Sequence, residues 1–140
     1  MGAIEPQNEQ IAAFLATEPG GSPIVMLNLL RFREQADYPA GFEAEPCSGR
    51  EAYLRYAQHA IAALEKVGGS IVWSGQALAT VIAPQGESWD EVILVEYPSK
   101  EAFLELGATV ESSQATVHRK AGLEDSRLVA VIEGAAVPGR

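Results

Sequence analysis

Asn28 stands in the middle of PIVMLNLLRF, residues 23 to 32, a run otherwise apolar at odd and even positions alike. A side-chain amide on a strand covered on both faces must find hydrogen-bond partners or cost stability. It is therefore paired with neighbouring backbone or a buried water, or placed to orient a ligand. Other reactive groups are few. Of two histidines, His59 flanks an apolar helix face and reads as a surface or boundary residue, whereas His118, next to Arg119, is a candidate for proton transfer, the plainer expectation being an exposed His–Arg pair on a helix. Glu96 follows Val92 and Leu94 on one strand face; desolvated there it would act as a general base, and the plainer expectation is a rim carboxylate, solvated or paired with Arg31 or Arg119. Arg31 and Arg119 together would hold a carboxylate by forked hydrogen bonds. Tyr53, Tyr56, Trp73 and Trp89 would line an apolar cavity with a few polar tips, although aromatic residues so placed more often fill a core. Cys47 lies in a Pro/Gly-rich loop with no evident base beside it, and carries no catalytic role. Phosphate-binding glycine loops, a serine nucleophile elbow and a His/carboxylate metal cluster are all missing from the sequence.

These groups need a scaffold, and 140 residues suffice for a single domain, with a core at about 23–134 and a helical extension over 1–22. Ten basic against nineteen acidic residues give a formal charge of −9. With no Lys/Arg cluster, nucleic acid and anionic membrane surfaces are disfavoured partners. One cysteine permits neither an intramolecular disulfide framework nor a cysteine-based zinc site, and fits a reducing cytoplasm. The N-terminus lacks a basic segment followed by an apolar run, and nothing reaches membrane-spanning length.

Along the chain, an amphipathic prelude (NEQIAAFLA) and a turn (EPGGSP) precede a strand from Ile24 to Phe32. The 34–48 segment, rich in Pro, Gly and acids, is a loop that covers something. Ser48 with Glu51 forms a capping-box pattern opening a helix whose apolar face is Tyr53, Ala57, Ala60, Ile61 and Leu64, and Gly68–Gly69 ends it. SIVWSGQALATVIA reads as a curved or edge strand, PQGES as a turn, and WDEVILVEY as a second strongly apolar strand closed by Pro98. Ser99 caps a helix beginning KEAFLEL, an irregular patch at ATVESS leads into a second helical segment, QATVHRKAGL, and DSRLVAVIE is the last strand before a loose GAAVPGR tail. The order strand, helix, strand, strand, helix, strand folds into an α+β, ferredoxin-like, four-stranded antiparallel sheet with helices on one face and the first and third strands central. Ile24, Met26 and Leu30 on one side and Val25, Leu27 and Leu29 on the other are all apolar, so the helix-free face needs a cover. A second copy of the sheet supplies it by twofold symmetry, which predicts a homodimer.

The blocks PIVMLNLLRFREQADY, SGREAYLRYAQH, GGSIVWSG, WDEVILVEYPSKEAF and LEDSRLVAVIEG resemble an uncharacterised bacterial family, domain of unknown function 1330, of the dimeric α+β barrel superfamily. The resemblance runs from about Pro23 to Gly134 and implies a ferredoxin-like fold with sheet-to-sheet dimers. Where such proteins carry a segment like PEYQ, this chain has ESSQ at Glu111 to Gln114, which removes an aromatic wall from any pocket. The superfamily contains cofactor-independent monooxygenases, haem-degrading enzymes, muconolactone isomerase-like enzymes and small-ligand sensors, among which fold alone does not choose. The resulting expectation is a small-molecule-binding protein, acting without a cofactor as an oxygenase or isomerase through Asn28 and His118, with Arg31, Tyr53, Tyr56, Trp73, Glu96, Tyr97 and Arg119 about the ligand. Two alternatives stand beside it: a non-catalytic sensory module, and a haem-binding or haem-degrading enzyme. For haem, the resemblance matches His118 to an iron-binding histidine and Asn28 to its asparagine, and puts Tyr97 where a tryptophan is usual.

Overall fold

The computed structural model describes residues 2–18 and 22–133. Part of the EPGGSP turn and the GAAVPGR tail lie outside them. Eight elements follow in order: α1 (Asn8–Leu15), β1 (Ile24–Phe32), α2 (Gly49–Lys66), β2 (Ser70–Gln76), β3 (Glu91–Tyr97), α3 (Lys100–Ser112), α4 (Ala115–Gly122) and β4 (Leu123–Val131). The sheet has the order β2-β3-β1-β4 with every neighbouring pair antiparallel. This is the expected α+β ferredoxin-like arrangement, with the two most apolar strands at its centre.

Alternation along β1 divides the sheet into two surfaces. Ile24, Met26 and Leu30 are buried, and the first two pack in one core with Ala63 and Leu64 of α2 and Ala102, Leu106 and Val110 of α3. Val25, Leu27 and Leu29 point the other way, in register with Glu96, Leu94 and Val92 of β3 and with Val131, Val129 and Arg127 of β4. Among the described residues no helix covers that second surface.

Local signals set several boundaries. The Ser48 hydroxyl accepts from Glu51 N at 3.1 Å while the Glu51 carboxylate accepts from Ser48 N at 2.8 Å, closing the capping box of α2. Gly68 ends that helix at φ +82°, a left-handed conformation that favours glycine. Ser99 caps α3 by accepting from Ala102 N at 3.1 Å. Three expectations need correction. The second strand stops at Gln76, because ALATVIAPQG leaves the sheet as an exposed arm. The patch at ATVESS is mostly the continuation of α3, and the break falls at Gln114, which adopts φ 65°. Ile61 is exposed rather than on the buried stripe, which instead holds Ala52, Ala63 and Leu64.

The extension α1 is tied down by a buried lysine. Lys100 donates to the carbonyls of Leu15, at 3.5 Å, and Thr17, capping the C-terminal end of α1 where helix carbonyls lack partners. Phe14 seals the contact edge-on against Phe103 at 5.8 Å.

Candidate functional site

Between the sheet and α2 three tyrosines come together, and the charge of Arg119 on α4 bears on two of them, Tyr53 and Tyr56. Tyr53 and Tyr56, three apart on α2, face the sheet together, their rings 5.4 Å apart, and Tyr53 meets Phe32 at the end of β1 at 5.6 Å. Tyr97 closes β3 on the same side, in register with Ile24, its ring edge-on to Phe103 at 5.3 Å. The strand period places Tyr97 there and the helix period places the two α2 tyrosines there. Among the described residues none of these three hydroxyls makes a hydrogen bond to protein, and none is sealed from solvent. Arg119 of α4 donates through Nη1 to Ile4 O at 2.6 Å. It forms no ion pair with a described carboxylate, so most of its five donors are available.

Electrostatics fix the protonation of this cleft. Burial pushes the phenols of Tyr53, Tyr56 and Tyr97 above their ordinary value, and the Arg119 charge, which pulls Tyr53 and Tyr56 the other way, does not outweigh it. The phenols are neutral donors at physiological pH. A fixed cation with neutral donors about it suits a carboxylate or an enolate, not a cation.

Asn28 occupies the helix-facing side of β1. Its Nδ2 donates to Met26 O at 3.3 Å and to Ile93 O at 3.2 Å. Because both partners are carbonyls, the amide orientation is set by its neighbours, and Oδ1 is left as an acceptor. Sequence reasoning passed over Glu91, which shares the helix-facing side of β3 with Ile93 and Tyr97, pairs with Arg50, and bears on Tyr53. The i, i+2 alternation back from Tyr97 would have revealed it.

The remaining expected site residues lie elsewhere. Arg31 is on the open face, paired with Glu124 at 3.4 Å, so it does not join Arg119 in a carboxylate clamp. Glu96 is also on the open face, in register with Val25, and pairs with neither arginine. Trp73 belongs to the same face, folded over Gly75, and Trp89 lies under Arg127 at 5.1 Å near the base of the exposed arm. The four aromatic residues expected to share one cavity are thus split among three places.

His118 faces the 34–48 loop. Its Nδ1 is 2.7 Å from the Tyr38 hydroxyl, which receives Arg55 Nη1 at 3.1 Å, and the Tyr38 and Phe42 rings stack on each other, both edge-on to the imidazole. The Tyr38–His118 hydrogen bond runs from the phenol to Nδ1 in the Nε2–H tautomer and from Nδ1–H to the phenol oxygen in the other. Arg55 lies on α2 away from Tyr53 and Tyr56, so this cluster straps the loop to the helices rather than serving the cleft. His118 Nδ1 is thus taken up by Tyr38. Among the described residues no group of three or more His, Cys, Asp or Glu is arranged to hold a metal.

Burial, aided by Arg55 and His59, holds the His118 imidazole below its ordinary value near 6.5. A depressed pKa gives stability that is complete above the unfolded value and is lost as pH falls through the folded one. Lowering the pH from about 8 to about 5 is expected to release the loop, read as faster limited proteolysis between residues 34 and 48. His118→Phe, which keeps the aromatic packing, should flatten that response, and an equally steep response in the variant would refute the assignment.

A crystal structure of methylated RPA0582 protein matches the chain at 41% identity and TM-score 0.85, covering 99% of this chain and 98% of that one. The chain belongs to the RPA0582 family. A second structure of RPA0582, described as a protein of unknown function from Rhodopseudomonas palustris, matches at 40% identity and TM-score 0.82 over 94% of this chain and 96% of that one. Beyond the RPA0582 family, SnoaB, a cofactor-independent oxygenase from Streptomyces nogalater, shares the fold at 12% identity and TM-score 0.50, covering 84% of this chain and 99% of that one. No protein-family model and no curated protein matches the chain. Among the described residues no helix is long and apolar enough to cross a membrane.

Proposed function

We propose that this member of the RPA0582 family is a homodimeric α+β barrel of the domain-of-unknown-function-1330 kind that binds a small, largely apolar carboxylic acid in the cleft of Tyr53, Tyr56, Tyr97 and Arg119. The supporting observation is the set of three unpartnered, solvent-reachable hydroxyls beside a guanidinium that lacks a carboxylate among the described residues. Arg119 would hold the carboxylate, the phenols would donate to it, and Asn28 Oδ1 would accept from a hydroxyl or amide elsewhere on the ligand. Phe32 and the apolar strand residues would receive the hydrocarbon part. The second apolar sheet face, uncovered in one chain, supports the dimer.

The test is thermal unfolding with a panel of aromatic and aliphatic acids, lactones, quinones, flavins and haemin, on the native protein and on Tyr53→Phe/Tyr56→Phe. Those hydroxyls hold nothing in the protein, so removing them leaves the fold intact. A ligand at a hundredfold over its Kd adds about 2.7 kcal/mol. An acid should raise the midpoint of the native protein and lose most of that effect in the double variant; equal shifts in both would place binding elsewhere.

A catalytic reading rests on Glu91. The donors that would hold a carboxylate would also hold an enolate, and Glu91, on the same side of the sheet as Tyr97 and paired with Arg50, would take the proton in an isomerase or a cofactor-free oxygenase. Turnover of a bound acid that Glu91→Gln abolishes without loss of binding would separate the enzyme from the sensory module.

A further inference from the structure

Ten residues between β2 and the turn before β3, ALATVIAPQG (Ala77 to Gly86), contain no charge in a chain that is 21% charged. Three of them are branched and apolar, and all three stand in solvent: Leu78 is 100% exposed, Val81 90% and Ile82 94%. The base of this arm is firmly held, with Ala77 N donating to Asp90 O at 2.9 Å and Asp90 N to Leu30 O at 2.7 Å. An anchored, uncharged arm whose three large apolar side chains stand in solvent is built to be covered, yet nothing among the described residues covers them.

A matching vacancy lies at the far corner of the sheet. Between α1 and β4 runs a groove of about 440 Å³ lined by Phe14, Ile24, Leu128, Ala130 and Ile132, among others. Among the described residues the charged ones along it are Glu18 and Lys100, and the Lys100 ammonium is already committed to the carbonyls at the end of α1.

The strand order and register relate the two features. The arm leaves edge strand β2 at the end of the sheet marked by Gln76, Glu91, Leu30 and Ser126, and the groove follows edge strand β4 at the end marked by Glu96, Val25 and Val131. They occupy diagonally opposite corners. A twofold axis lying between two stacked sheets and running along the other diagonal exchanges those corners and crosses the strands near a right angle, one of the two stable ways for sheets to pack. We propose that in the homodimer the Ala77–Gly86 arm of each chain passes round edge strand β4 of the other, from the stacked open faces to the helix-facing side, and lies in the α1–β4 groove there.

Interface area points the same way. The four strands, two of seven residues and two of nine, span about 20–26 by 19 Å, roughly 400–500 Å² in projection. Stable pairs start at about 600 Å² a side, so the strands alone sit at or below the low end, and the arm is the large apolar surface that remains. This inference rests on the sheet-to-sheet dimer proposed above.

The experiment compares the native protein with Leu78→Ser/Val81→Ser/Ile82→Ser by sedimentation velocity over a dilution series, with hydrogen exchange followed in α1. The three side chains support nothing within one chain, so the variant folds. The expected result is a dimer whose dissociation constant rises by about 100-fold or more in the variant, with faster exchange in α1, the wall of the groove. A native dimer with both readouts unchanged in the variant overturns the arm exchange and leaves the sheet dimer standing. A native protein that is monomeric at micromolar concentration overturns both and leaves the arm to a foreign partner. As a geometric check, a short bis-maleimide on Ile82→Cys/Leu128→Cys in a Cys47→Ser background should give covalent dimers. Links within one chain only would overturn the exchange.

Discussion

Gly122→Ala is expected to destabilise the protein by about 3 kcal/mol or more and to lower its thermal midpoint by about 10 °C, at roughly 3 °C per kcal/mol for a chain of this size. The α2 start and the α4 end touch backbone to backbone here: Arg33 N donates to Gly122 O at 2.8 Å and Gly49 N to Arg33 O at 3.1 Å. A Cβ on residue 122 would fall 2.4 Å from Gly49 O and 3.0 Å from Tyr53 N. Backbone atoms cannot swing aside as a side-chain tip does, so the helices must part. Gly→Ala exchanges without a clash usually stabilise by restricting the unfolded chain, and Gly107 provides that control. It lies inside α3 with nothing within 4 Å of an added Cβ, so Gly107→Ala should raise the midpoint by an amount worth about 0.5–1 kcal/mol. The opposite signs identify the close approach as the cause. Because α2 carries Tyr53 and Tyr56, Gly122→Ala should also weaken any ligand that the cleft takes. Equal midpoints for the two variants in calorimetry would show that the helices do not depend on this contact.

Leu27→Asp is expected to convert a dimer into a folded monomer. Leu27 is near the middle of the open face, flanked in register by Leu94 and Val129, so in a sheet-to-sheet dimer it lies near the centre of the interface, where truncation and burial of charge are most costly. In a lone chain the same position reaches water, and the substitution should cost only about 1 kcal/mol in strand preference. Sedimentation equilibrium at micromolar concentration should therefore give twice the chain mass for the native protein and one chain mass for the variant. The native midpoint should rise with protein concentration and that of the variant should not. A native monomer would refute the face-to-face arrangement, and an undisturbed dimer in the variant would move the interface to another surface.

How much of this was legible in the residues depended on whether the signal was local. The Ser48–Glu51 capping box, the Gly68 stop, the Ser99 cap and the order of strands and helices are short-range patterns, and they placed the elements and the sheet order correctly. The double-faced apolarity of β1 revealed an uncovered surface for a similar reason: strand alternation assigns each side chain to a face before any partner is known. Boundaries failed where local preference was overruled. ALATVIA is rich in strand-favouring residues, yet a strand persists only where a neighbour supplies hydrogen bonds, and the ladder to β3 ends at Gln76 opposite Glu91.

The candidate site shows the same division. Tyr53, Tyr56 and Arg119 were picked out by residue type and Tyr97 through the family resemblance, and the three tyrosines lie on the helix side of the sheet. Arg31, Glu96 and Trp73 were grouped with them, but each falls on the opposite face, a one-residue matter of register within the sheet. His118 was credited with proton transfer, and only the packed structure shows its Nδ1 engaged by Tyr38 from a loop eighty positions away. The sequence by itself determined the elements, their order, the apolar surplus and the stock of chemical groups, because periodicity, caps and turns act over a few residues. Which face each group occupies, which hydroxyls remain without partners, and that the arm and the groove lie at opposite corners were decided by the tertiary structure alone, because register and long-range packing fix them together.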